Sequence, residues 1–183
     1  MARAFDNVAM SPYRAVTALL AGLLAACTPT FNWREVKLPG GPGRAMFPCR
    51  PSQEQRTVPL AGRPVSLTIL SCRTGETMFA LGVGDVGEPG QVGVALEALK
   101  AAAAANIGGM PVPAEATAVE GASSHPAAGS YRLQGRLPDG RAVQARLAVF
   151  TQGTRVFQAT VFSKRQIWKV VAISNVCPLP ERP

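Results

Sequence analysis

The chain has 183 residues, 47% of them apolar and 16% charged, with a formal net charge of +8. That composition excludes a disordered polar chain and supplies enough apolar material for one real core. The basic excess resembles that of nucleic-acid binders, but the arginines (Arg34, Arg56, Arg73, Arg132, Arg136, Arg141, Arg146) are scattered and form no single basic run.

At the N-terminus Arg14 precedes an apolar run, Ala15 to Ala26, that ends at Cys27. A basic residue, a short greasy stretch and small residues at its end are the layout of a secretory signal peptide. About a dozen residues are too few to cross a bilayer core, which needs roughly 20. The run is also apolar all round, unlike a surface helix of a soluble domain. Met10 is a candidate start, which would leave Ser11-Pro12-Tyr13-Arg14 as a compact basic region.

Leu24-Ala25-Ala26-Cys27 resembles the lipobox of bacterial lipoproteins. The resemblance implies that the peptidase reads Leu24, Ala25 and Ala26, and that Cys27 becomes an acylated mature N-terminus. Thr28 stands where an aspartate would retain such a protein, so the resemblance implies the outer membrane, facing the periplasm. Loss of Arg3, Arg14 and Asp6 with the leader leaves 17 basic and 10 acidic residues, a net of +7. Export removes nucleic acid as a partner. A solvated arginine-rich surface is then the plainest reading, with anionic lipid headgroups as the natural counterpart.

Cys49, Cys72 and Cys177 remain beside Cys27. An oxidising compartment favours pairing, and three thiols cannot all pair internally. Cys49 and Cys72 end two short apolar segments, so they are the expected disulfide, with Cys177 free. A metal centre of these cysteines with His125 has no supporting spacing, and no cofactor is expected.

Along the mature chain, Thr28 to Gly43 carries Pro29, Pro39, Pro42 and Gly40-Gly41, and reads as a tether leading into a strand near Trp33 to Leu38. "RTVPLAGRP" suggests a hairpin turn at Ala61-Gly62. "RPVSLTILSC" alternates Val65, Leu67 and Ile69 with Ser66, Thr68 and Leu70, predicting a strand with one buried face. "ETMFALGVG" predicts another. "QVGVALEALKAAAAANIGG" predicts a helix with Val92, Leu96, Leu99 and Ala103 on one face and Gly108-Gly109 as its stop. The second half returns to strands, with turns at Pro138-Asp139-Gly140 and Gln152-Gly153. Arg132, Arg136, Arg141 and Arg146 alternate with apolar positions, as on a wet sheet face. The expected fold is α+β: a mostly antiparallel sheet with one inserted amphipathic helix, after a cleaved signal peptide. The boundaries read as leader 1–26, lipidated tether 27–43, domain 44–176 and proline-rich tail 177–183.

Phe47-Pro48-Cys49-Arg50-Pro51 followed by Val58-Pro59-Leu60-Ala61-Gly62, then the helix and later strands, resembles a group of small proteobacterial lipoproteins. The order of parts over residues 44 to 163 is also similar to the PsbP/Mog1-like fold, an antiparallel sheet flanked by helices. The resemblance carries no catalytic residues over. It departs at the end, where such proteins finish in an apolar helix; here Ile167 to Val176 reads as a strand before the tail.

Three further motifs have ordinary explanations. Gly82-Val83-Gly84-Asp85-Val86-Gly87 spells a dinucleotide fingerprint, but Glu88-Pro89-Gly90 separate it from the helix and no carboxylate follows at the required distance. It reads as a glycine-rich loop. His125 beside Ser123 and Ser124 lacks a nucleophile elbow and an orienting acid. Asp85, Glu88, Glu97, Glu115 and Glu120 show no paired spacing for glycoside chemistry. Trp33, Trp168 and the phenylalanines read as core or membrane-interface anchors.

The expectation is a lipid-anchored periplasmic protein that works by binding, as a non-catalytic accessory of envelope proteins. Its contact surface is the sheet face or the 82–90 loop. The rivals are a small hydrolase of envelope material, and a small-ligand carrier with a pocket between helix and sheet.

Overall fold

The computed structural model describes residues 31–115, 118–137 and 139–164. The leader 1–26, the lipobox with Cys27, Cys177, the expected strand Ile167 to Val176 and the tail 177–183 lie outside these residues. The compact unit begins at Phe31. Its strands are β1 (Arg34–Lys37), β2 (Arg44–Phe47), β3 (Ser52–Leu60), β4 (Arg63–Thr74), β5 (Thr77–Asp85), β6 (Val112–Ala114), β7 (Gly129–Arg136), β8 (Ala142–Gln152) and β9 (Arg155–Ser163). Helix α1 (Val92–Ala105) lies between β5 and β6, after a 3-10 turn at Pro89–Gln91. The fold is α+β, with a seven-stranded antiparallel sheet in the order β3-β4-β5-β9-β8-β7-β6 and a separate β1–β2 hairpin.

Turn chemistry sets the local pairings. β3 and β4 meet at Ala61 and Gly62, both at positive φ (52° and 76°), the conformation that suits the twist of a two-residue hairpin. Gly140 and Gly153, also at positive φ, turn β7 into β8 and β8 into β9. β5 pairs with β9 across the intervening helix and three strands, from Thr77–Ser163 to Asp85–Arg155. This long-range pairing joins the two halves of the sheet.

Each face of the sheet has its own cover. Val92, Ala95, Leu96, Leu99 and Ala103 of α1 pack on Val65 and Leu67 of β4, Val143, Ala145, Leu147 and Val149 of β8, and Val156 of β9. On the opposite face, Ala45 and Phe47 of the hairpin pack with Leu70, Cys72, Phe79, Leu81, Phe150, Phe157 and Val161. β4 therefore departs from the expected single buried face. Val65 and Leu67 are buried toward the helix, whereas Thr68, Leu70 and Cys72 are buried toward the hairpin. The covering element changes sides midway along the strand, which period-2 alternation alone does not encode.

On the N-terminal side, the strand expected near Trp33 to Leu38 is present as β1; it pairs with β2 in register from Arg34–Phe47 to Lys37–Arg44, so the boundary drawn at Gly43 falls inside a hairpin. β3 starts earlier than "RTVPL", because the polar stretch from Ser52 pairs along β4 as an exposed edge. Such an edge needs no apolar alternation, and its charges discourage pairing with other chains.

The end of α1 is fixed by backbone contact. The Arg136 amide donates to the Ile107 carbonyl at 2.7 Å. Any Cβ at Gly135 would collide with that carbonyl oxygen, and one at Gly109 would lie 2.5 Å from the Gln134 oxygen. Glycine at these positions lets the exit of the helix lie directly on β7.

Candidate functional site

The best-defined candidate surface is the hairpin and its attachment. Cys49 follows β2 and Cys72 lies in β4; the two form a disulfide with Cα atoms 6.0 Å apart. The expected pairing is present. The bond ties the exit of the hairpin to the sheet beneath it, beside buried Phe47 and Pro48. The chain enters through Phe31, whose ring meets Phe79 edge-on at 6.3 Å. The Trp33 ring lies 6.2 Å from Phe31. The alternation of the hairpin turns Val36, Ala45 and Phe47 inward and leaves Glu35, Lys37, Arg44 and Met46 outward. Trp33 and Met46 are 47% and 41% exposed. Arg44 is ion-paired with Glu35, so Lys37 adds net positive charge.

The basic positions of the second half fall into two groups. Arg132 and Arg146 are directly opposite each other in the β7–β8 register, with Gln134 and Gln144 as the next pair on the same face. Arg136 and Arg141 belong to the turn instead. Arg136 Nη1 donates to the Gly140 carbonyl at 2.9 Å, and Arg141 Nε donates to Asp139 Oδ2 at 2.6 Å. Those hydrogen bonds from Arg141 hold the Asp139 carboxyl below the usual carboxylate range, and Asp139 raises Arg141 in return.

The interface between α1 and the sheet is filled. Ala95 and Leu96 are fully buried there, which counts against a ligand chamber at that position. An open cavity of about 170 Å³ lies instead beyond the helix end. Ile107, Leu137, Val143 and Phe162 line its apolar part, with Arg73 and Arg141 among its charged side chains. No local pattern signals it, because its walls come from four separate stretches of chain.

The glycine motif is not a phosphate loop. Gly82 and Gly84 lie inside β5, and only Gly87, at φ 73°, belongs to the turn. A Cβ at Gly84 would lie 2.6 Å from Leu67 Cδ2, so this glycine admits the β4 side chain. The expected 82–90 loop is thus shorter, beginning after Asp85. Asp85 closes it by accepting from the Gly87 amide at 2.8 Å. That bond, followed by one from Thr154, lowers its pKa against a small opposing effect of burial, with Arg155 assisting.

The Ser-His cluster is occupied by loop contacts. Ser123 Oγ accepts from the Gly153 amide at 3.1 Å, and His125 Nδ1 accepts from the Ala127 amide at 3.1 Å. The imidazole rests against Gly93 in the first turn of α1. Of the acidic residues weighed for catalysis, Glu88 pairs with Arg63 at 2.6 Å and Glu97 pairs with Lys100. Among the described residues no cluster of three His, Cys, Asp or Glu side chains is placed to hold a metal ion. None of their helices is long and apolar enough to cross a membrane.

No protein family, curated protein or solved structure matches this chain.

Proposed function

We propose that the chain is an exported lipoprotein, held by an acylated Cys27 on the periplasmic side of the outer membrane, where it serves envelope proteins as a non-catalytic binding partner. The observation that supports this reading is the Cys49–Cys72 disulfide. Cytosolic thiols are kept reduced, whereas structural disulfides persist in the periplasm. It agrees with the leader-like run ending at Leu24-Ala25-Ala26-Cys27. The anchoring is energetically adequate: each buried methylene contributes ~0.8 kcal/mol, and two or more acyl chains hold where one is marginal. The small-lipoprotein resemblance around Phe47-Pro48-Cys49 points to the same class of protein.

The test is fractionation of cells carrying the wild-type chain or Cys27→Ser. The wild type is expected in the outer-membrane fraction and in the detergent-rich phase after phase separation, with Cys27→Ser outside both. Identical behaviour of the two proteins would overturn the anchor. Cross-linking of the anchored protein in its own membrane then identifies the envelope partner by what co-purifies.

A further inference from the structure

We propose that the outward face of the β1–β2 hairpin, together with Trp33 just before it, is a lipid-contact surface, on which Trp33 and Met46 enter the headgroup region while Lys37 meets anionic headgroups. This rests on the anchoring reading above.

Four observations carry it. Trp33, immediately before β1, and Met46 in β2 are large apolar side chains left exposed, although Phe31, Val36 and Phe47 from the same segment pack in the core. Lys37 and Arg44 are directly opposite in register, and the next pair on the same outward face is Glu35 with Met46; with Arg44 paired to Glu35, Lys37 gives this face its net positive charge. Apolar and basic side chains thus share the outward face, the combination that a membrane surface with anionic lipid attracts. The indole is braced, because its neighbour Phe31 is itself packed edge-on against Phe79; seating it costs little further side-chain freedom. An amphipathic ring of this kind favours the water–lipid boundary. Finally, Trp33 follows Cys27 by six residues, a span of at most about 20 Å when extended. An acylated Cys27 therefore keeps the hairpin within reach of the headgroups.

The experiment uses the full chain purified from membranes and reconstituted into vesicles of phosphatidylethanolamine and phosphatidylglycerol. One set of vesicles carries acyl chains brominated close to the headgroup. Intact mass of the same sample reports acylation. Trp33→Phe, a change at a half-exposed position, retains Trp168 and so isolates the Trp33 signal by difference. With acylated protein, the Trp33 signal is expected to shift to the blue and to lose roughly half its intensity on bromination, as for an indole at the interface. Lys37→Glu, which leaves the Arg44–Glu35 pair in place, should reduce that quenching. Acylated protein whose Trp33 signal ignores bromination overturns the lipid-contact surface and leaves the anchor standing. An unacylated mass overturns the anchoring reading and this inference with it.

Discussion

Arg155 and Pro39 are joined across 116 residues of sequence: Nη2 of the arginine donates to the proline carbonyl at 2.7 Å. The guanidinium also lies 5.1 Å above the Phe157 ring, which stacks in turn on Phe150 at 4.9 Å. One side chain at the start of β9 thus holds the turn of the hairpin against the face that the hairpin covers. A charged donor to a carbonyl in a partly buried place is among the stronger hydrogen bonds. Arg155→Ala should cost about 1–2 kcal/mol in denaturant unfolding, with faster amide exchange at Leu38. Lysine should restore only part, lacking the planar fork that reaches Pro39 while covering Phe157.

The Cys49–Cys72 bond closes a 23-residue separation. In the chain-entropy account its removal costs ~3 kcal/mol. The double variant Cys49→Ser/Cys72→Ser should therefore unfold at lower denaturant, and reductant should lower the stability of the wild type but not of the variant. Equal sensitivity of the two would show that the bond contributes nothing.

Gly135 is the point where β7 touches the exit of α1, and a methyl group there would meet the Ile107 carbonyl. Backbone on both sides of the contact leaves no flexible side chain to yield. Gly135→Ala should destabilise by about 3 kcal/mol or more, in the range of severe overpacking. Gly140→Ala is a different case: it has open space but a φ of 80°, so its cost is conformational and smaller, about 1–2 kcal/mol.

Ala61 is the only non-glycine at positive φ among the described residues, at 52°. Asparagine tolerates that conformation better than alanine and precedes Gly62 in the preferred order for this turn. Ala61→Asn should raise stability by about 0.5–1 kcal/mol, read as a higher denaturant midpoint with an unchanged slope.

The Asp85 carboxylate is favoured in the folded state by the Gly87 amide first and the Thr154 hydroxyl second. Its folded pKa lies below its unfolded one. The stabilisation is therefore complete above the unfolded value of about 3.9 and disappears as pH falls through the folded value. Asp85→Asn should lower stability at neutral pH by a small amount, since the group is exposed, and should flatten the loss below pH 4. A pH series of unfolding midpoints for the two proteins checks this.

Much of the strand arrangement was legible, for local reasons. Gly62, Gly140 and Gly153 mark turns whose φ values glycine adopts freely, and the buried stripe of α1 follows the helical period of Val92, Leu96, Leu99 and Ala103. The disulfide followed from compartment and position rather than from any local pattern. What stayed illegible depends on distant partners. β2 has four residues between proline- and glycine-rich segments, too few for alternation to register. Its cover over Leu70 and Phe79 explains the second buried face of β4, which no property of β4 announces. Trp33 was recognisable as a core or interface residue, and its 47% exposure beside the inward-packed Phe31 takes it out of the core, which its sequence position does not reveal. The cavity near Ile107 and Phe162 likewise exists only once β5, α1, β8 and β9 are assembled.

In the proposed function the mature chain begins at an acylated Cys27 and is oxidised at Cys49 and Cys72. Intact mass of membrane-extracted protein, alkylated with and without prior reduction, decides both points at once. The expected mass starts at Cys27 plus acyl chains, with two additional alkyl groups after reduction. A mass that retains residues 1–26, carries no lipid and takes up the same number of alkyl groups either way would contradict it.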